Sequence, residues 1–175
     1  CHYRRFFFLH GKKKRFVIKV ENSIDEKELS LSDVPGIMRQ YDIILPAAEY
    51  SLLTVEELYI QNHRKSDWMM MKAVVKRKYP EYAKALENVS NGHKFHLYNM
   101  FITKKDIFLD YMQWLFDILF EVEEQIAIPY NDGYQRRVFG FLAERLLNVY
   151  VAHKKLRVRE EPIIFIARPN ENVVF

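Results

Sequence analysis

The sequence predicts an α/β layered domain. Short apolar runs such as Tyr41–Leu45 and Ile163–Ile166 have strand character, and they are separated by long stretches whose apolar residues recur every three or four positions. With 49% hydrophobic residues, 175 residues supply the core of one domain and not comfortably of two. The expectation is therefore a single domain over 1–175, with no internal repeat and no low-complexity linker.

The elements follow in order. His2–Leu9 is rich in aromatic residues and reads as a strand, followed by a turn at Gly11 with the basic run Lys12–Arg15 on its rim. Phe16, Ile18 and Val20 alternate with Val17, Lys19 and Glu21, which fits a second strand. Asn22–Gly36 is polar and reads as a long loop holding a short helix around Glu26–Leu29. Tyr41–Leu45, closed by Pro46, reads as a buried strand. Thr54, with Glu57 three residues later, has the spacing of a capping box and opens a helix that fades near His63. Ser66 is the expected cap of the next helix, Trp68–Lys78, which stops before Pro80. Pro80 suits the first turn of a third helix ending at Asn91–Gly92. Lys94–Ile102 reads as a strand. Lys105–Ala127 is the strongest helix, with Ile107, Tyr111, Leu115, Ile118, Leu119, Val122 and Ile126 on one face. A turn at Pro129–Gly133 leads into an amphipathic helix over Gln135–Lys154, and a short strand over Ile163–Ile166 follows Pro162.

Several function classes are excluded or disfavoured. The acids on the 105–127 helix, and the lack of any 18-residue apolar run, argue against a membrane span. Five glycines allow neither a dinucleotide fingerprint nor a phosphate-cradling loop. One cysteine excludes an internal disulfide framework and a cysteine zinc site. A net charge of +4 is a mild pointer to an anionic partner, but Lys12–Arg15 is short and has no interleaved stacking aromatics, so no nucleic-acid partner is expected. His93 and His96 would point to opposite faces of a strand, so no metal site is assigned to them. The chain opens on Cys1 in a strand-like run rather than on Met, which reads as the later portion of a longer protein.

Candidate chemistry falls in four places. In an extended Cys1-His2-Tyr3-Arg4-Arg5 segment, Tyr3 and Arg5 share one face, His2 and Arg4 the other. An arginine fork at a strand end suits a diphosphate or carboxylate, or else a salt bridge to nearby acids. Asp67-Trp68 at a helix start is a dipole-stabilised acid beside a core Trp, or an acid beside an aromatic platform for a sugar ring. Asn99 either closes a strand end or binds a ligand hydroxyl. Glu144 places an acid in a helix otherwise made of core residues, as a salt-bridged group or a general base.

Taken in order, CHYRRFF, YDIILP, the Thr-led helix with His63 beyond it, SDWMMMKAVVKRKYPEY, YNMFITKKDIFLDYMQWLFDILFEVE and RRVFGFLAERLLNVY resemble one family. This is the bacterial capsular and exopolysaccharide glycosyltransferases known as domain of unknown function 4422. The resemblance extends from Cys1 to about Ile166. It implies a GT-A-like, Rossmann-like nucleotide-diphospho-sugar transferase fold, incomplete at its N-terminus, of which this chain is the central and C-terminal portion. It implies transfer of a sugar from a nucleotide-diphosphate donor, a UDP-sugar foremost, to a glycan or lipid-linked glycan acceptor. The Asp-x-Asp metal motif of many such enzymes is absent here, so no metal ligand is assigned and the need for a divalent ion stays open. The implied roles are donor binding by His2, Tyr3, Arg4 and Arg5, catalysis by Glu144 or Asp67, and sugar contacts by Trp68 and Asn99. The implied location is the cytoplasm, with peripheral contact at the inner membrane face, where each basic residue of Lys12–Arg15 near anionic headgroups would contribute about 1 kcal/mol. The alternative is a carbohydrate-binding or protein-interaction module without turnover.

Overall fold

The computed structural model describes residues 5–9, 15–19, 31–127 and 132–167. It is mixed α/β and divides into two compact units. The first comprises residues 1–48, 100–104 and 157–175; the second, 49–99 and 105–156.

Among the described residues, the first unit holds two three-stranded sheets and one helix. Strands β1 (Arg5–Phe7) and β2 (Arg15–Lys19) flank β8 (Ile163–Ala167), the first antiparallel to it and the second parallel. Strand β3 (Ile43–Pro46) lies between β6 (Ile102–Thr103), antiparallel, and β7 (Val158–Glu161), parallel. All four residues of the central β3 are buried, as expected of a continuous apolar run in mid-sheet. Pro46 closes the strand, where its missing N–H costs little. Pro162 stands between β7 and β8. It cannot donate to a ladder, so the chain leaves one sheet there and enters the other, and its carbonyl accepts the Phe8 N–H at 2.8 Å. Asp42, just before β3, binds Arg157 through both carboxylate oxygens at 2.9 Å and receives the Arg157 backbone N–H at 3.0 Å and Lys104 Nζ at 3.2 Å. These donors, Arg157 foremost, hold its carboxyl far below the usual carboxylate range.

The helix α1 (Val34–Gln40) corrects the reading of 22–36 as a loop. Pro35 and Gly36 lie inside its first turn, where proline lacks only an N–H that has no helical partner anyway. The helix expected around Glu26–Leu29 falls outside the described residues.

The second unit is mostly helical. The paired strands β4 (Glu49–Tyr50) and β5 (Lys94–Phe95) accompany α2 (Val55–Asn62), α3 (Lys65–Lys78), α4 (Ala83–Ser90), α5 (Lys105–Gln125) and α6 (Val138–Lys154). The Thr54–Glu57 capping box forms in full: the Glu57 N–H donates to Thr54 Oγ1 at 3.2 Å, and the Thr54 N–H donates to Glu57 Oε2 at 2.8 Å. Ser66 is not a cap. The helix begins one residue before it, after Arg64, and the Ser66 hydroxyl donates to Asp67 Oδ1 at 3.1 Å. Helix α5 buries Tyr111, Trp114, Leu115, Ile118, Leu119 and Val122 against its neighbours. Among its acids, Asp117 pairs with Lys78 at 2.6 Å and Glu121 with Arg77. Helix α6 is buried almost all round, which makes it the spine of this unit.

A continuous strand over Lys94–Ile102 does not form. Lys94–Phe95 and Ile102–Thr103 belong to different sheets, and between them Tyr98 and Asn99 adopt φ values of 80° and 48°. The sequence carries the trace of this break, because the apolar positions change parity from Phe95 and Leu97 to Met100 and Ile102.

Candidate functional site

Three residues of α6 spaced one turn apart, Gly140, Glu144 and Asn148, line up on one face of the helix. Each holds the segment 96–99. The Asn99 side-chain amide donates to the Gly140 carbonyl at 2.9 Å, and the Tyr98 N–H donates to Glu144 Oε1 at 3.1 Å. Asn148 accepts the His96 N–H at 2.8 Å and donates to the His96 carbonyl at 2.9 Å. The segment therefore runs antiparallel to the helix and is tied to it at successive turns.

This anchoring explains the left-handed backbone at Tyr98 and Asn99. Asparagine tolerates that region, whereas a tyrosine there carries about 1–3 kcal/mol of strain. Such strain persists only where the surroundings over-determine it. Here that comes from the hydrogen bonds on either side of Tyr98, and the Glu144 carboxylate receives its N–H.

Glu144 is partly exposed, and its second oxygen receives Arg145 Nη1 at 2.7 Å. Arg145 is buried, with its guanidinium 5.6 Å from the Tyr59 ring centre and 6.0 Å from that of Phe95. Burial pulls its pKa down against the raising effect of Glu144. Helix α6 thus carries a carboxylate fixed from two sides, with open space beside Gly140, where a Cβ would meet nothing within 4 Å.

Beside it lies a cluster of rings. His63, at the end of α2, stacks on Phe141 at 4.0 Å and on Tyr134 at 5.6 Å, and it lies 4.7 Å from Tyr59. Burial, and then the Arg145 charge, pull its pKa down to about 4, so the imidazole is neutral at neutral pH. Tyr59 is fully buried. Desolvation, and then the Asp67 charge, push its phenol far above the ordinary value.

The sequence candidates fall as follows. Glu144 and Asn99 come together where the segment 96–99 meets α6: Glu144 accepts the Tyr98 N–H, and Asn99 donates to the Gly140 carbonyl. Asp67 is buried in the first turn of α3, with its charge near Tyr59. Trp68 is fully buried, 4.9 Å from the Tyr59 ring, and presents no open face for a sugar. Arg5 stands in β1 with its guanidinium 4.8 Å over the Phe165 ring. His2, Tyr3 and Arg4 lie outside the described residues, as does most of the Lys12–Arg15 run. His96 lies against Asn148, His93 is exposed, and no group of three or more metal-ligating side chains occurs among the described residues. Sequence reasoning missed Asn148. The available signal was polar residues at one-turn spacing within an otherwise apolar helix.

Comparison with known proteins adds the following. The chain is similar to a solved structure described as the apo form of the WbbM bifunctional glycosyltransferase, at 28% identity and a TM-score of 0.84. The match covers 100% of this chain and 35% of that one, so the chain spans about a third of that protein's length. No curated protein matches. The family model described as domain of unknown function 4422 matches residues 1–155, and the chain belongs to that family.

Proposed function

We propose that this chain is part of a glycosyltransferase that moves a sugar from a nucleotide-diphosphate donor to a glycan hydroxyl, within a GT-A-like fold. The observation that carries the reading is the likeness to a bifunctional glycosyltransferase over the whole length of this chain. The fixed carboxylate of Glu144 adds the chemical group that such a reaction uses.

In the proposed reaction, Glu144 takes the proton from the acceptor hydroxyl as its oxygen attacks the anomeric carbon. The bond from that carbon to the diphosphate breaks, and the nucleoside diphosphate leaves with the electron pair. Arg4, Arg5 and His2 neutralise the leaving charge, and Tyr3 shares in holding the donor. In this reading Asn99 bonds a sugar hydroxyl, and Asp67 is the second candidate acid. The burial of Trp68 favours a packing role for it over sugar contact. The donor is a UDP-sugar foremost, and the acceptor a glycan or lipid-linked glycan of capsular or exopolysaccharide assembly. The enzyme works in the cytoplasm, with peripheral contact at the inner membrane face. No helix among the described residues is long and apolar enough to cross a membrane.

Glu144→Gln in the full-length protein keeps the shape of the group and removes the base. Turnover is expected to fall by a factor of about 10²–10⁴ while donor affinity stays within about twofold. Unchanged turnover excludes Glu144 as the base and moves the role to Asp67, tested in the same way with Asp67→Asn.

A further inference from the structure

The second unit contains a pocket of about 290 Å³ formed by the turn at 79–82, the middle of α5 and the C-terminal end of α6. His153, on this pocket, follows Glu144 by nine residues of α6, about 13–14 Å along the helix axis. It is therefore not the space beside Glu144.

Its wall is aromatic and rigid. The Tyr82 ring stacks on His153 at 3.6 Å and on Trp114 at 4.7 Å, and Tyr79 meets Tyr82 edge-on at 6.0 Å. Tyr79 is half-buried, and its hydroxyl donates to Asp117 Oδ2 at 2.7 Å, which fixes the ring plane while leaving part of the ring in the pocket. The rim is polar. Glu81 and Gln113 are exposed, and Asp110 is held by the Tyr150 hydroxyl at 2.6 Å and Lys154 at 2.8 Å.

The lining selects among ligand classes. An anion would meet Glu81 and Asp110, with Lys154 already engaged by Asp110. A purely apolar ligand would strip water from a carboxylate, an amide and an imidazole. The volume falls just below the usual range of ligand pockets, about 300–1,000 Å³, and is too small for a nucleotide with its sugar. A neutral sugar ring meets all of these conditions: its C–H face packs on an aromatic ring, and its hydroxyls both donate to Glu81 and exchange hydrogen bonds with Gln113 and His153.

We infer that this pocket is a second saccharide site, which holds one neutral sugar unit of a glycan away from the reacting unit. The identification of the ligand with the acceptor glycan rests on the glycosyl-transfer reading above. A site of this kind retains the polymer between transfers and raises the effective concentration of its growing end.

The test is binding by the full-length protein, followed by calorimetry and ligand-observed NMR. The probes are methyl hexopyranosides and neutral linear tetrasaccharides, with choline in parallel. The double variant Glu81→Ala/Gln113→Ala alters only exposed side chains, and Tyr79→Ala removes the stacking ring. The expected result is saccharide binding weakened at least fivefold in both variants. Absence of saccharide binding by the wild type, equal affinity in the double variant, or preference for choline each overturns the site. Transfer measured on the same samples separates the two proposals. Binding that depends on the pocket without any transfer leaves the site standing and removes the transferase reading. Transfer with pocket-independent binding does the reverse.

Discussion

His63 illustrates how burial turns a common side chain into a pH-dependent one. Its pKa of about 4 lies below the ordinary 6.5, so the unfolded chain binds the proton more readily between those two values. Stability therefore rises with pH across that window and is lost as pH falls from about 6.5 to 4. The full effect is at most about 3 kcal/mol, less the screening of a half-buried ring. Urea denaturation at pH 7 and pH 5 should show this loss in the wild type and a smaller one in His63→Phe, which keeps the stacking on Phe141. An identical loss in both proteins would mean that other groups carry the acid sensitivity. Asn99 makes a second case. Asn99→Gly retains the left-handed backbone and loses only the bond to the Gly140 carbonyl, whereas Asn99→Ala loses both. The alanine variant is expected to be less stable than the glycine variant by about 1 kcal/mol, read from denaturation midpoints.

At the scale of elements, α6 organises the candidate site through its one-turn repeat of Gly140, Glu144 and Asn148. Asn148 is buried and makes three hydrogen bonds within 3 Å to the His96 backbone and the Glu144 carbonyl. Asn148→Ala leaves the His96 amide and carbonyl without those partners. It is expected to cost about 2–4 kcal/mol in urea denaturation and to slow transfer by loosening the segment that meets Glu144. A change below about 0.5 kcal/mol would show that water replaces the side chain at no cost. What the sequence discloses divides along the same lines. The Thr54–Glu57 box, the apolar face of α5 and the core of α6 are local patterns, and the structure has them nearly residue for residue. Glu144 stands out because an acid interrupts an apolar helix. Asn148 and Tyr98 do not stand out, because their meaning lies in contacts across dozens of residues of chain. Helix α1 was hidden by Pro35 and Gly36, which break helices in mid-span but not in the first turn. Strands β4 and β7 were hidden by shortness and charge: β7 reads Val-Arg-Glu-Glu, and only pairing with β3 makes it a strand.

For the whole molecule, the chain supplies a sheet-rich unit that begins with the arginine-bearing strand and a helical unit that carries the fixed carboxylate. Membership of the family and the likeness to a bifunctional glycosyltransferase support a role in glycosyl transfer, and the central claim is that the protein takes a nucleotide-diphosphate sugar as its donor. The most direct measurement is calorimetry of the full-length protein with UDP-, GDP- and CMP-sugars, each with and without Mn²⁺. The reading predicts micromolar binding of one nucleotide-diphosphate sugar, UDP-linked first, weakened at least tenfold in Arg4→Ala/Arg5→Ala. No binding of any donor by a protein shown to be folded would contradict it, and would leave a glycan-binding module with the architecture of a transferase.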